Sequence, residues 1–212
     1  MRALAGLVFA LCPASAVAQH GSFGPELAVG EYREASSSMR YRGSGPGFAG
    51  SLTFHRIIAE AALASIRLNP TGGSAATESF RVTLIDAWLR WEVLDYLGFE
   101  AGLTNRSADP EFAAQSMGAL RIGARTHYPL GPGAAIWLRG NYLAGAHYSG
   151  GGSSPVALEL GLGVDIRWSR HFRAGAQYAF QRLDRKTNPA GGAEVSVPIE
   201  QALARVGVAV RF

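Results

Sequence analysis

The chain has 212 residues, of which 48% are hydrophobic and 17% charged, and it carries a formal net charge of +4. This length allows one domain of ordinary size. The positive charge rests on arginine, because Lys186 is the sole lysine, and the arginines fall singly along the chain. This spacing argues against a nucleic-acid-binding surface, for which clustered basic residues are expected.

The first residues have the features of a secretory signal. Arg2 precedes an apolar run that ends at Cys12, and small residues lead to Ala18. We therefore predict a signal peptide over residues 1–18 and a single exported domain over residues 19–212; a short buried helix is the alternative. Cleavage would remove the only cysteine, so the mature chain is predicted to contain no disulfide. The remaining sequence has no run of eighteen apolar residues, so no transmembrane helix is predicted.

The rest of the chain predicts about ten strands, because apolar residues recur at every second position. They cover residues 26–35, 48–55, 58–68, 80–92, 97–106, 117–128, 134–148, 156–168, 172–184 and 199–212. Long loops rich in Gly, Ser and Pro alternate with short turns between them. This layout predicts an all-β, antiparallel up-and-down transmembrane barrel with short periplasmic turns and longer extracellular loops. Eight strands are the alternative, if residues 48–68 form a single element.

The strand faces indicate which side meets lipid. In segment 156–168 one face is wholly apolar, whereas the other combines Glu159 and Asp165 with glycines. Small residues beside isolated charges suit a crowded interior better than a solvated surface, so we expect the apolar faces to point outward. Aromatic residues add two bands, as in membrane barrels. The band near the short turns contains Trp91, Phe99, Tyr128, Trp168, Phe172 and Phe212, and the band near the long loops contains Tyr32, Phe48, Tyr142, Tyr148, Tyr178 and Phe180.

Three features near the N-terminus are less regular. A bulge near Gly30 is predicted, because Glu31 otherwise falls on the lipid face and Tyr32 points inward. The segment 58–68 is apolar on both faces, so its register stays open. Residues 36–47 are predicted to form a loop, in which the basic aromatic stretch Met39–Arg42 is either an ordinary solvated surface or a contact for acidic lipopolysaccharide.

The chain ends on an alternating strand with Val206, Val208, Val210 and Phe212 on one face. With this ending and the strand layout, the sequence resembles the bacterial outer-membrane β-barrel superfamily. The resemblance implies a monomer in the lipid of the Gram-negative outer membrane. It also implies that these four residues form the signal read by the barrel-assembly machinery.

Outward apolar faces place many charges in the lumen. An ion-pair network that fills a narrow barrel predicts a structural or surface-exposed protein. A belt of residues at similar depth offers the alternative of a narrow passive pore with weak anion preference, because arginine rings favour anions. The belt holds three arginines and one acid: its members are Asp86, Arg121, Arg139, Asn141, Gln177 and Arg205. The candidates for lumen or pore residues are Asp86, Arg121, Arg139, Asn141 and Arg205 from this belt, together with Asp165.

Catalysis at the outer rim is a third possibility. His147 and the acidic pair Asp109 and Glu111 are its only candidates, and no serine or carboxylate stands at a spacing typical of a hydrolase. We therefore predict no enzymatic activity. No cofactor is expected, and no His, Asp and Glu cluster has the spacing of a metal site.

Overall fold

The computed structural model describes residues 20–187 and 194–212. The predicted signal peptide, residues 1–18, lies outside the described residues. The strands, in chain order, are β1 (His20–Glu34), β2 (Met39–Phe54), β3 (Ile57–Pro70), β4 (Phe80–Leu94), β5 (Leu97–Ala108), β6 (Met117–Gly131), β7 (Ala134–Tyr148), β8 (Ser153–Ser154), β9 (Ala157–Arg167), β10 (Phe172–Thr187) and β11 (Val195–Arg211). One short 3₁₀ helix, Pro110–Gln115, lies between β5 and β6.

The sheet is a closed barrel. Each long strand pairs antiparallel with its neighbours, and β1 pairs with β11, with Phe23 opposite Val210 and Leu27 opposite Val206. The two-residue strand β8 only adds a bridge between β7 and β10 at one rim. The described residues thus form a barrel of ten long strands, which confirms the predicted fold and excludes the eight-strand alternative.

Short turns share one rim of the barrel with both ends of the described chain. These turns cover residues 55–56, 95–96, 132–133 and 168–171. The opposite rim carries the connections 35–38, 71–79, 109–116 and 149–156, and β10 ends and β11 begins there. The prediction of a long loop over residues 36–47 is wrong, because β2 begins at Met39 and the first connection is a tight turn.

Glycines explain that error. A Cβ atom on Gly43 would lie 1.7 Å from the carbonyl oxygen of Arg67, and one on Gly45 would lie 1.8 Å from that of Ser65. The backbones of β2 and β3 therefore approach so closely that only glycine fits. Met39–Arg42 belongs to a strand and not to a loop, and the ring of Tyr41 is buried inside the barrel.

The exterior is a broad apolar band. All six aromatic residues predicted near the short turns are exposed on it, for example Tyr128 at 68% and Trp168 at 63%. Exposure of so much contiguous apolar surface is stable in lipid and not in water. No helix within residues 20–187 and 194–212 is both long and apolar enough to span a membrane.

The outer aromatic band differs from its prediction. Phe48, Tyr142 and Tyr178 face outward, but Tyr32 and Tyr148 lie inside the barrel. The predicted bulge near Gly30 is also wrong, because β1 pairs with β2 without a register shift. No bulge is needed, since β1 extends beyond the apolar band and Glu31 forms an ion pair with Arg42 there at 3.3 Å.

The interior has two layers. Toward the outer rim it is an apolar cluster. The sequence left the register of β3 open, and the structure places Ile66 and Leu68 of this strand in the cluster. Toward the short turns it is occupied by charged side chains, most of them buried. Residues at every second position of each strand supply both layers, as the pleat requires.

Candidate functional site

Charged side chains cross the middle of the lumen in two chains of ion pairs. The first chain joins, in order, Glu26, Arg205, Asp86, Arg121, Glu159 and Arg139. Arg205 lies 2.6 Å from one oxygen of Asp86, and Arg121 lies 3.0 Å from the other. Arg121 also reaches Glu159 at 2.9 Å. Positive and negative groups therefore alternate along the whole chain.

The second chain lies nearer the short turns. It joins Glu100, Arg125, Glu60 and Arg90. Glu60 accepts from Arg90 at 3.0 Å and lies 3.2 Å from Arg125. We refer to the ten residues of both chains as the lumen network.

The lumen network is electrically neutral. It contains five arginines and five carboxylates joined by eight ion pairs, and these residues come from eight of the ten long strands. Burying a charge is costly unless it is paired, and here each charge has an opposite partner. The network thus ties most of the barrel wall together across its centre.

Two tryptophans fill the space between the arginines. The indole of Trp88 donates to Glu60 at 2.6 Å, and the guanidinium of Arg121 lies 5.2 Å from its ring centroid. The guanidinium of Arg125 lies 4.7 Å from the ring centroid of Trp137. These distances suit cation–π attraction in a desolvated setting. Both rings also occupy volume that would otherwise be open lumen.

The structure brings five of the six candidate lumen residues together. Asp86, Arg121, Arg139 and Arg205 belong to the first chain, and Asn141 donates to Glu159 at 2.9 Å. Asp165 lies apart, where it pairs with Arg173 at 3.2 Å and both side chains are partly exposed. Gln177 lines the same part of the lumen.

Sequence reasoning missed part of this site. It assigned three arginines and one acid to the belt, but Glu26 and Glu159 belong to the same chain, so the belt has no excess positive charge. The tilt of the strands causes this error, because residues at equal depth are offset along neighbouring strands. Trp88 and Trp137 were also missed, although alternation places them on the same strand faces as Asp86 and Arg139.

The space that remains in the lumen is divided. A cavity of about 110 Å³ lies toward the short turns, where Glu60, Trp88 and Arg125 line it. A second cavity of about 60 Å³ lies toward the outer rim and is lined by Asp86 and other members of the first chain. Gln177 and Arg205 line both cavities, so the first chain stands between them. At about 10–15 Å³ for one water molecule, the first cavity has room for roughly 7–11 and the second for roughly 4–6.

Aromatic rings cluster at the outer end of the lumen. The ring of Phe80 lies 4.9 Å from that of Tyr41 and stacks on Phe112 at 4.6 Å. Phe112 belongs to the 3₁₀ helix, which thereby packs over the barrel. Tyr32 lies beside Tyr41 at 6.2 Å, and Tyr148 is covered by the guanidinium of Arg185 at 4.6 Å. We refer to these five rings as the aromatic cap.

The side chains that were candidates for outer-rim catalysis contact different backbone groups and not each other. His147 is exposed, and its Nδ1 atom lies 3.1 Å from the carbonyl oxygen of Gly145. The carboxylate of Asp109 accepts from the backbone amide of Arg81 at 2.7 Å. Within the described part of the chain, no group of three or more His, Cys, Asp or Glu residues is arranged to hold a metal ion.

Comparison with known proteins places this geometry among membrane barrels. Outer membrane protease OmpT from Escherichia coli is similar over 92% of this chain and 96% of its own, with a TM-score of 0.52 and 11% identity. The fold is that of a bacterial outer-membrane β-barrel. The apolar exterior agrees with it, so the chain is an integral protein of the Gram-negative outer membrane.

Two further structures have lower scores. Ail of Yersinia pestis is similar over 91% of this chain and 98% of its own, with a TM-score of 0.43 and 12% identity. OprG from Pseudomonas aeruginosa is similar over 92% of this chain and 96% of its own, with a TM-score of 0.43 and 10% identity. No protein-family model and no curated protein matches the sequence. At these identities the likeness extends to the fold and not to any activity.

Proposed function

We propose that the protein is a structural, surface-exposed outer-membrane barrel whose lumen is sealed by its own side chains. The observation that carries this proposal is the neutral lumen network, in which eight ion pairs join ten buried or mostly buried residues across the barrel. The aromatic cap supports it from the outer side.

The balance of charge argues against the alternative of an anion-preferring pore. Selectivity of that kind requires positive charge that faces the conduction path without a partner. Arg121 lies within 3.0 Å of two different carboxylates, and Arg139 lies 3.1 Å from Glu159. An entering anion would have to displace carboxylates that are already bound, at the high cost of breaking a buried ion pair.

The proposal includes no enzymatic activity. A hydrolase site needs a base and an orienting carboxylate within hydrogen-bond reach of each other. The contacts of His147 and Asp109 are instead with backbone atoms of Gly145 and Arg81. OmpT is described as a protease, but an identity of 11% supports no transfer of that activity.

We further propose that the barrel is a monomer assembled through its last strand. Val206, Val208, Val210 and Phe212 are exposed at 59%, 49%, 52% and 64%, so they form a continuous apolar face accessible to an assembly factor. Because β11 pairs with both β10 and β1, the finished barrel has no open edge that would need a second copy.

Halide flux into vesicles tests the sealed lumen. Refolded protein is reconstituted into vesicles that contain a chloride-quenched dye, and protein-free vesicles provide the baseline. We expect the native protein to stay at the baseline. A variant in which Trp88→Ala and Trp137→Ala remove both lumen rings should leak, and this variant shows that the assay detects an open barrel. Chloride entry through the native protein would favour the pore and overturn the proposal.

A further inference from the structure

The outer wall of β3 and β4 carries an ordered column of residues. Outward side chains face each other in pairs across these strands: Leu63 opposite Ile85, then Ser65 opposite Thr83, then Arg67 opposite Arg81 toward the outer rim. Both arginines are exposed. The column therefore changes from apolar to hydroxyl-bearing to cationic within three steps.

Among the residues that the structure describes, the two arginines at the top of this column have no acidic partner. Residues directly opposite on neighbouring strands have Cβ atoms about 5 Å apart, so two guanidinium groups there repel each other. Two other arginines of the outer wall do have an acidic partner: Arg42 pairs with Glu31 at 3.3 Å, and Arg33 pairs with Glu200 at 3.7 Å. Across residues 20–187 and 194–212, no salt bridge includes Arg67 or Arg81.

Asp109 lies close to Arg81 but binds its backbone and not its guanidinium group. The carboxylate of Asp109 binds the backbone amide of Arg81 at 2.7 Å, and the backbone amide of Asp109 donates to the carbonyl oxygen of Arg81 at 3.0 Å. These bonds fix the loop after β5 to the start of β4. They leave the Arg81 guanidinium without an ion pair among the described residues.

We propose that Arg67 and Arg81 form a site for the phosphate group of an outer-leaflet lipid. The three steps of the column match the three parts of such a molecule. Acyl chains pack on Leu63 and Ile85, and the polar linkage meets the hydroxyls of Ser65 and Thr83. The phosphate then bridges the two guanidinium groups, which offset their mutual repulsion by charge-assisted hydrogen bonds.

The site is tested by lipid retention. The refolded protein is placed in phosphatidylcholine nanodiscs with or without lipid A, a diphosphorylated outer-leaflet lipid. Bound lipid is then counted by native mass spectrometry. We expect R67S/R81S to bind lipid A about 30-fold more weakly than the native protein, since each basic residue near a charged membrane contributes about fivefold. The matched control R33S/R42S removes two arginines that already have acidic partners and should bind within a few-fold of the native protein.

Heat-modified gel mobility verifies that every variant is folded, which is expected because all four side chains are exposed. A third nanodisc preparation replaces lipid A with oleic acid, whose carboxylate carries charge without phosphate. Retention of lipid A alone, lost in R67S/R81S, supports the phosphate site. Any of three results would overturn it. These are equal retention of lipid A and oleic acid, an equal loss of lipid A binding in R67S/R81S and R33S/R42S, and unchanged lipid A binding by R67S/R81S.

Discussion

A single carboxylate in the lumen network can bind several partners at once. Glu159 is 1% exposed and has the most partners in the network: it accepts from Arg121, Asn141 and Gln181 and forms an ion pair with Arg139. Removal of its charge would leave buried guanidinium groups without full compensation. The expected loss of stability is therefore that of leaving a buried charge unpaired and not that of losing an ordinary hydrogen bond.

The substitution Glu159→Gln keeps the shape of the side chain and removes only the charge. We expect it to lower the free energy of unfolding by about 3–5 kcal/mol, the usual loss when one partner of a buried pair is removed. Denaturant unfolding of the protein in detergent micelles, followed by tryptophan fluorescence, measures this loss.

Asp165→Asn is the matched control, because Asp165 also pairs with an arginine but its side chain is 39% exposed. Its loss should be about 0.2–1 kcal/mol, as for surface pairs. Equal losses for the two variants would mean that the lumen around Glu159 is hydrated and that the network is not buried.

Alternation with a period of two made the strands predictable from the sequence. It also predicted that the side chains of Asp86, Arg121 and Arg139 face the lumen, since every second residue shares a face. Alternation does not report how far a strand continues past the apolar band, so Tyr32 was misplaced. It also cannot distinguish glycines of a loop from those needed where two strands approach closely, as at Gly43.

The facing of β4, of β7 and of the end of β9 can be checked with tryptophan. Trp91 and Trp168 are 57% and 63% exposed on the lipid face, whereas Trp88 and Trp137 are 8% and 5% exposed inside the barrel. In variants that keep one tryptophan and replace the others with phenylalanine, brominated lipids should quench Trp91 and Trp168 strongly and the two lumen residues weakly. Strong quenching of Trp88 would invert the faces of β4 and contradict the structure.

The final strand allows assembly to be separated from stability. The backbone amide of Phe212 donates to Gly21 at 3.0 Å, so loss of its ring leaves the last hydrogen bonds of the seam in place. We expect Phe212→Ala to reduce the folded protein recovered from the outer membrane severalfold and to fold normally in detergent.

Phe172→Ala is the control for this prediction, because Phe172 is 47% exposed in the same aromatic band and lies outside the last strand. Heat-modified gel mobility measures the folded fraction in both settings. If Phe172→Ala caused the same loss in cells, the effect would come from the lost membrane anchor and not from an assembly signal.

At the scale of the whole molecule, the protein combines an apolar exterior with a lumen network of equal positive and negative charge. The fold was predictable because lipid imposes the same alternation on most of the strands. The balance of the lumen charges was not, because strand tilt decides which residues meet across the barrel. Glu26, which was not among the predicted lumen residues, pairs with Arg205 at 3.5 Å in the structure.

Single-channel recording in a planar bilayer tests the sealed lumen most directly. Refolded native protein is inserted under a salt gradient, and folding is verified on the same preparation by heat-modified gel mobility. If the lumen network divides the interior and the aromatic cap closes its outer end as proposed, we expect a silent bilayer. Steady openings biased toward anions, reduced when Arg121, Arg139 and Arg205 are replaced by serine, would contradict it and establish a pore.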